Sequence, residues 1–292
     1  MTQDARHPVV VGVDASQASL RAARFAADEA RRRRVPLRIV HVLSWPLDSL
    51  VLPAMDLDVG GQLRLGAEAV GQRAADLVEA EDLEVQVSVE TGDPVSVLRD
   101  ESEEAQLVVL GGRGIGGIAG LLVGSTAQGL VAHSHCPVVV LPDASAAMIS
   151  ERRSVVVGVE ACDADAPVLE FAVGAAADRG TDLIAVHAWQ DAVLETAFRS
   201  TGPLADWAGV AVDEQLALSE ALAGWRDKAP DVEIREAVVR DRPARALVAA
   251  GLTAELVVVG HRRRLTLGST THAVLHRATC PVAVVPLSGA AG

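Results

Sequence analysis

The chain is written twice. Val9-Val10-Val11-Gly12-Val13-Asp14-Ala15 returns as Val155-Val156-Val157-Gly158-Val159-Glu160-Ala161, an offset of 155 − 9 = 146. Val40-His41-Val42 returns as Val186-His187-Ala188 at the same offset, each copy followed by a Trp (Trp45, Trp189). Gln106-Leu107-Val108-Val109 returns as Glu255-Leu256-Val257-Val258 at 149, and Cys136-Pro137-Val138-Val139-Val140 as Cys280-Pro281-Val282-Ala283-Val284 at 144. Blocks that match in order at a nearly constant offset mark an internal duplication. Any fold assigned to one half must therefore serve the other. Pro142 to Arg153 is small, polar and unpatterned, as a linker is, which sets two domains at residues 1–143 and 154–288.

Each half alternates strand and helix signals. In the first, Val9 to Val13 is a buried strand, and Leu20, Ala23, Ala27 and Ala30 give an apolar helical face. Leu37 to Leu43 is a second strand, and Leu63, Ala67, Val70, Ala74 and Leu77 mark a second helix. Val85, Val87 and Val89 alternate as a less buried strand, Pro94 opens a short helix, and Leu107 to Leu110 is the fourth strand. A helix from about Ser125 and the strand Val138 to Leu141 close the unit. This order predicts an α/β fold of two tandem doubly wound domains, each a mainly parallel five-stranded sheet with helices on both faces. Composition agrees: with four Trp, three Phe and no Tyr, the core must be Val, Leu, Ile and Ala, which suits parallel strands covered by Ala-rich helices.

Such sheets bind ligands beyond the strand C-termini, at the switch in strand order. There the first half carries Gly111-Gly112-Arg113-Gly114, and then Gly124-Ser125-Thr126. Glycines let backbone approach an anion and adopt φ > 0, and successive N–H groups with a helix N-terminus attract phosphate. The Ser125 and Thr126 hydroxyls add two hydrogen-bonding groups. The plainer alternative is a tight strand-to-helix turn with a Ser/Thr cap.

These residues resemble the universal stress protein family, in its tandem two-domain actinobacterial form. Its ATP-binding branch carries Gly-x2-Gly-x9-Gly-Ser/Thr, and Gly111, Gly114, Gly124 and Ser125 match each position. The strand end Gly12-Val13-Asp14, the strand end at Val42 and the Cys136-Pro137 strand start also look like the family, and the resemblance covers nearly the whole chain, twice. It implies an adenine nucleotide alpha hydrolase-like fold and ATP as ligand. Asp14 would lie near the nucleoside, with a second role as helix cap before Ser16. The backbone around Val42 would read the adenine edge. Gly12 would end the first strand at the site. Gly111, Gly112, Gly114, Gly124, Ser125 and Thr126 would cradle ribose and phosphates, with Arg113 as a phosphate partner. Mg2+ on the phosphates is expected chemically, and no dedicated protein ligands for it stand out.

The second half departs from this pattern. Its counterparts are Gly158, Glu160, Gly260, Gly268, Ser269 and Thr270, but His261-Arg262-Arg263-Arg264 follows Gly260, so the second motif glycine is missing. Gly260 to Gly268 spans 8 positions against 13 from Gly111 to Gly124. Five missing residues remove up to about 16 Å of loop reach at roughly 3.3 Å each. The expectation is a degenerate or altered second site.

Other features bound the function. A formal charge of −13 argues against a nucleic-acid binder, yet leaves room for a nucleotide because screening is short-ranged. Arg31 to Arg34 reads as a helix C-terminus rather than a basic patch. Cys136, Cys162 and Cys280 lack metal spacing, and Cys136 and Cys280, each before a Pro, read as packing. His133 with His135 and His272 with His276 lack a third metal ligand, and His41 with His187 share a structural role. Met1 to His7 is polar and no apolar run approaches about 20 residues, so a cytoplasmic protein without membrane insertion is expected.

The function expected is a nucleotide-dependent regulator in stress response, with ATP stabilising a lid-like Ser44 to Gly60 loop. Self-association and regulatory protein partners accompany that reading. Its alternatives are a weak ATPase or adenylyl-transferring enzyme, at most a slow one, and a nucleotide-free interaction scaffold.

Overall fold

The computed structural model describes residues 7–44, 59–78, 81–114, 123–142, 154–189, 207–262 and 267–287. The chain divides into two compact units, described in turn. The first contains β1 (Val9–Val13), α1 (Gln17–Arg33), β2 (Leu37–Leu43), α2 (Val59–Val78), β3 (Val85–Thr91), α3 (Pro94–Glu101), β4 (Leu107–Gly111), α4 (Ser125–His133) and β5 (Val138–Leu141). The strands lie in the order β3-β2-β1-β4-β5, and each neighbouring pair is parallel. The chain winds outward from β1 through β2 to β3, then crosses back to β4. The switch point therefore falls between β1 and β4.

β1, β4 and β5 read as continuous apolar runs because both faces of the sheet are covered, so nothing favours alternation. Every residue of β5 is buried, as are all of β1 except Gly12 and all of β4 except Gly111. β3 is less buried, as its alternating valines predict, with Val87 40% exposed.

Side-chain size decides how close the helices come. The face that α1 buries is mostly alanine, with Ala18, Ala22, Ala23, Ala26, Ala27 and Ala30 inside. A β-carbon on Gly111 would stand 2.8 Å from the carbonyl carbon of Ala18, so this crossing requires a glycine. A β-carbon on the adjacent strand's Gly12 would point the other way, 3.1 Å from Leu98 of α3. Helices thus cover both faces, α1 packed with α2 and α3 with α4.

Ser16 caps α1 by accepting from Ser19 N at 3.1 Å, and Arg34 closes it in the left-handed conformation at φ 56°. The arginine run meets acids: Arg31 reaches Asp28 and Asp82 at 3.2 and 3.5 Å, and Arg32 and Arg33 reach the buried Glu29 at 3.0 and 3.6 Å. It is the end of a helix, as its sequence position predicts.

The second unit contains β6 (Ser154–Gly158), a 3-10 turn (Asp163–Asp165), α5 (Ala166–Arg179), β7 (Asp182–Ala188) and α6 (Trp207–Lys228). It continues with β8 (Ile234–Val239), α7 (Pro243–Ala250), β9 (Ala254–Arg262), α8 (Ser269–Arg277) and β10 (Val282–Leu287). Its strands follow the order β10-β9-β6-β7-β8, again parallel throughout. The largest difference in length between counterpart strands is at β4, with 5 residues, and β9, with 9. Among the described residues, no helix is long and apolar enough to cross a membrane.

Candidate functional site

A cleft of about 490 Å³ opens at the C-terminal ends of β1 and β4 in the first unit. Gly12, Val13 and Asp14 from the end of β1 and Val40, Val42 and Ser44 from β2 and its exit form one wall. Gly111, Arg113 and Gly114 follow β4, and Val123, Gly124, Ser125, Thr126 and Ala127 bring the start of α4 to the same space. Pro94 and Leu98 of α3 and Leu110 add an apolar floor, and Ser19 of α1 completes the lining. The structure thus brings together nine of the ten first-half site residues predicted from sequence, Gly112 being the exception. Gly112 is buried: its N–H donates to Leu141 O at 2.7 Å and its carbonyl accepts from Gly124 N at 2.6 Å. It ties the loop's two ends together rather than facing the cleft.

Three local expectations need correction. The motif glycines do not take positive φ; among the described glycines only Gly92 and Gly180 do. They are needed for space. A β-carbon on Gly114 would come within 2.5 Å of Asp14 Oδ2. Nor does Asp14 cap α1, since Ser16 does; Asp14 Oδ1 instead accepts from Ser16 N at 2.9 Å and orders the turn before the helix. Finally, α4 does not start with a Ser/Thr cap. Gly124 occupies that position and makes no side-chain capping bond, so the first-turn N–H groups lie at the cleft without a capping side chain among the described residues. A helix N-terminus in that state carries donors and partial positive charge toward an anion.

Two side chains support the turn at Asp14 from behind. Ser19 Oγ donates to Asp14 O, 2.6 Å away, and also lies 2.9 Å from Ser16 O. His41 Nδ1 donates to Val13 O at 2.8 Å; a carbonyl only accepts, so that nitrogen carries the proton. His187 repeats the bond to Val159 O at 2.9 Å, which explains why the histidine recurs in both halves. Its Nε2 additionally meets Glu214 Oε2 of α6 at 2.9 Å, a contact no spacing rule in the sequence could reveal. Sequence reasoning also missed Ser19, Leu98 and Val123. Leu98 is the buried residue of the short helix after Pro94, and that amphipathic signal was available.

The second unit arranges its counterparts differently. Gly158 ends β6 against Leu247 and Gly260 lies within β9 against Val168 and Leu287, where a β-carbon would come within 2.9 and 3.0 Å. Glu160 Oε2 accepts from Arg262 at 2.7 Å. Gly268 opens α8 ahead of Ser269 and Thr270, again without a side-chain cap.

Cys136 and Cys280 are buried and Cys162 is exposed; burial pushes the Cys136 thiol up to about 11. His133 bonds Gly129 O at 2.8 Å, and His135 lies 3.6 Å from Glu103. His272 and His276 stack at 4.3 Å between ring centroids, and burial with the neighbouring His272 lowers the His276 pKa. Among the described residues, no group of three His, Cys, Asp or Glu is placed to hold a metal ion.

Comparison with known proteins agrees with the fold. Universal stress protein Rv2005c of Mycobacterium tuberculosis is 38% identical, over 96% of this chain and 97% of its own length. Universal stress protein Rv2623 from the same organism is 36% identical over 94% and 95%. A universal stress protein structure from Archaeoglobus fulgidus superposes with a TM-score of 0.71 at 20% identity, covering 96% of this chain and 98% of that one. The Universal stress protein family pattern matches twice, at residues 5–142 and 151–286. With two matches that span nearly the whole sequence, and relatives aligned end to end, the chain belongs to the universal stress protein family.

Proposed function

We propose that the first unit binds an adenine nucleotide, ATP above others, and that occupancy makes the protein a nucleotide-dependent regulator in stress response. The observation that carries this is the cleft itself: at the switch point, Gly111, Arg113 and Gly114 face Gly124, Ser125 and Thr126 across about 490 Å³. That volume lies within the usual span of small-molecule sites, about 300–1,000 Å³. In this reading the α4 N-terminus and the Ser125 and Thr126 hydroxyls bind phosphates, Arg113 adds charge, and Asp14 binds the nucleoside. Val42 and Leu98 provide apolar walls.

The described residues do not form a protein cage for Mg2+. Asp14 supplies the carboxylate of the wall and already accepts from Ser16 N, so a divalent cation would be held chiefly by the phosphates, as Mg2+ commonly is. Slow hydrolysis is compatible with this wall, where Asp14, already accepting from Ser16 N, is the one carboxylate of the described lining. The lid expected at Ser44 to Gly60 lies largely outside the described residues, with Ser44 at the cleft rim. The domain limits 1–143 and 154–288 are proposed with this reading.

The test is mass spectrometry and absorbance of nucleotide released when the purified protein is denatured. An adenine nucleotide lost in the Gly114→Ala variant supports the reading. Absence of nucleotide, with no binding on adding ATP, favours an interaction scaffold.

A further inference from the structure

We infer that the second unit takes no nucleotide, because its strand β9 runs on through the space that the first unit leaves for the glycine loop. The inference rests on the first cleft's being the nucleotide site, and makes the chain a one-nucleotide protein.

The two units part at one residue. In the first unit β4 ends at Gly111, Gly112 N still donates to Leu141 O at the end of β5, and the chain turns away after it: Gly124 N returns to Gly112 O, and Gly114 comes to rest beside Asp14. After Gly260, the counterpart of Gly111, the second chain stays in the sheet. His261 and Arg262 continue β9 in parallel register with Pro286 and Leu287 of β10. His261, standing where the first unit has Gly112, is 3% exposed. Bending the chain away here would uncover that side chain and break the ladder that holds it.

Two further contacts and one difference at the α8 start fit a closed crevice. Arg262, in the place of Arg113, donates to Glu160, in the place of Asp14, at 2.7 Å. This pair joins the ends of β6 and β9, the two strands that flank the switch point. Thr271, where the first unit has Ala127, lies with its Oγ1 3.2 Å from Gly260 O, to which it donates. Gly124 lies against the backbone of Gly112, Arg113 and Gly114, whereas the β-carbon position of Gly268 meets nothing within 4 Å.

The strand extension decides the matter more than the ion pair. Arg262 and Glu160 are 49% and 71% exposed, and pairs so open to solvent contribute little. Removing the pair should leave the crevice closed.

The experiment is isothermal titration of the full chain, freed of bound nucleotide, with ATP. It is repeated with Gly114→Ala, with Ser125→Glu and with Arg262→Ala. Ser125→Glu places a negative charge at the first position of α4, which suits the helix and repels phosphate, so it tests the site without unfolding it. The expected result is one site per chain with a hyperbolic isotherm, unchanged in Arg262→Ala and weakened at least about tenfold in the two first-unit variants. Two sites per chain, or a site that survives both first-unit variants, overturns the inference while nucleotide binding stands. No binding by the parent protein overturns the reading of the first cleft, and the count of one with it.

Discussion

Asp14 and Gly114 are a matched pair: the carboxylate of one occupies the space that any side chain on the other would need. The distance from Oδ2 to the β-carbon position is 2.5 Å, below what nonbonded carbon and oxygen tolerate. Residues 100 positions apart in sequence are therefore coupled through a single missing methyl group.

Gly114→Ala should push the Asp14 carboxylate away from the cleft. Gly114 is exposed, so the sheet and helices should keep their stability, with melting temperature within about 2 °C of the parent, as surface changes usually allow. Nucleotide affinity should fall by about tenfold or more. Titration calorimetry beside a thermal melt separates the two effects.

His187→Ala should destabilise the protein more than His41→Ala. Loss of the His41 bond to Val13 O should cost about 1 kcal/mol. His187 faces two acceptors, Val159 O and Glu214, and is 7% exposed, so its loss strands a buried acceptor and opens a void, together about 2–3 kcal/mol. Scanning calorimetry of both variants gives the order directly.

Thiol reactivity should distinguish the cysteines. At pH 8 a disulfide reagent should modify the exposed Cys162 and leave Cys136 and Cys280 untouched until the protein unfolds. Both the burial of Cys136 and its pKa of about 11 starve the reaction of thiolate. Counting modified thiols before and after adding denaturant checks this.

Asp165 gives a pH dependence with a defined sign. Burial, helped by the charge of Glu160, raises its pKa above the ordinary value, while N–H bonds from the turn oppose the shift. The folded state therefore holds the proton more tightly than the unfolded chain, so stability from this group is lost as pH rises through its folded pKa. Asp165→Asn can keep an oxygen for Cys162 N, now 3.1 Å from Oδ2, without the charge. The variant's melting temperature relative to the parent should rise between pH 3 and pH 7; a fall would refute the account.

Much was legible in the sequence for a physical reason: it depends on neighbours along the chain. The valine runs, the alanine faces and the repeat at near-constant offset specified five parallel strands in each unit, and the spacing from Gly111 to Ser125 pointed to the cleft at β1 and β4. What only the tertiary structure decided concerns groups that meet across the fold. Gly112 ties the loop together from behind, α4 begins without a side-chain cap, and Gly114 gives its space to Asp14. The five-residue deletion after Gly260 was visible in the sequence, but its consequence was not. Whether a shortened loop would bend poorly or join the sheet depended on β10 lying alongside to pair with His261 and Arg262, a partner supplied by the fold and not by the local sequence.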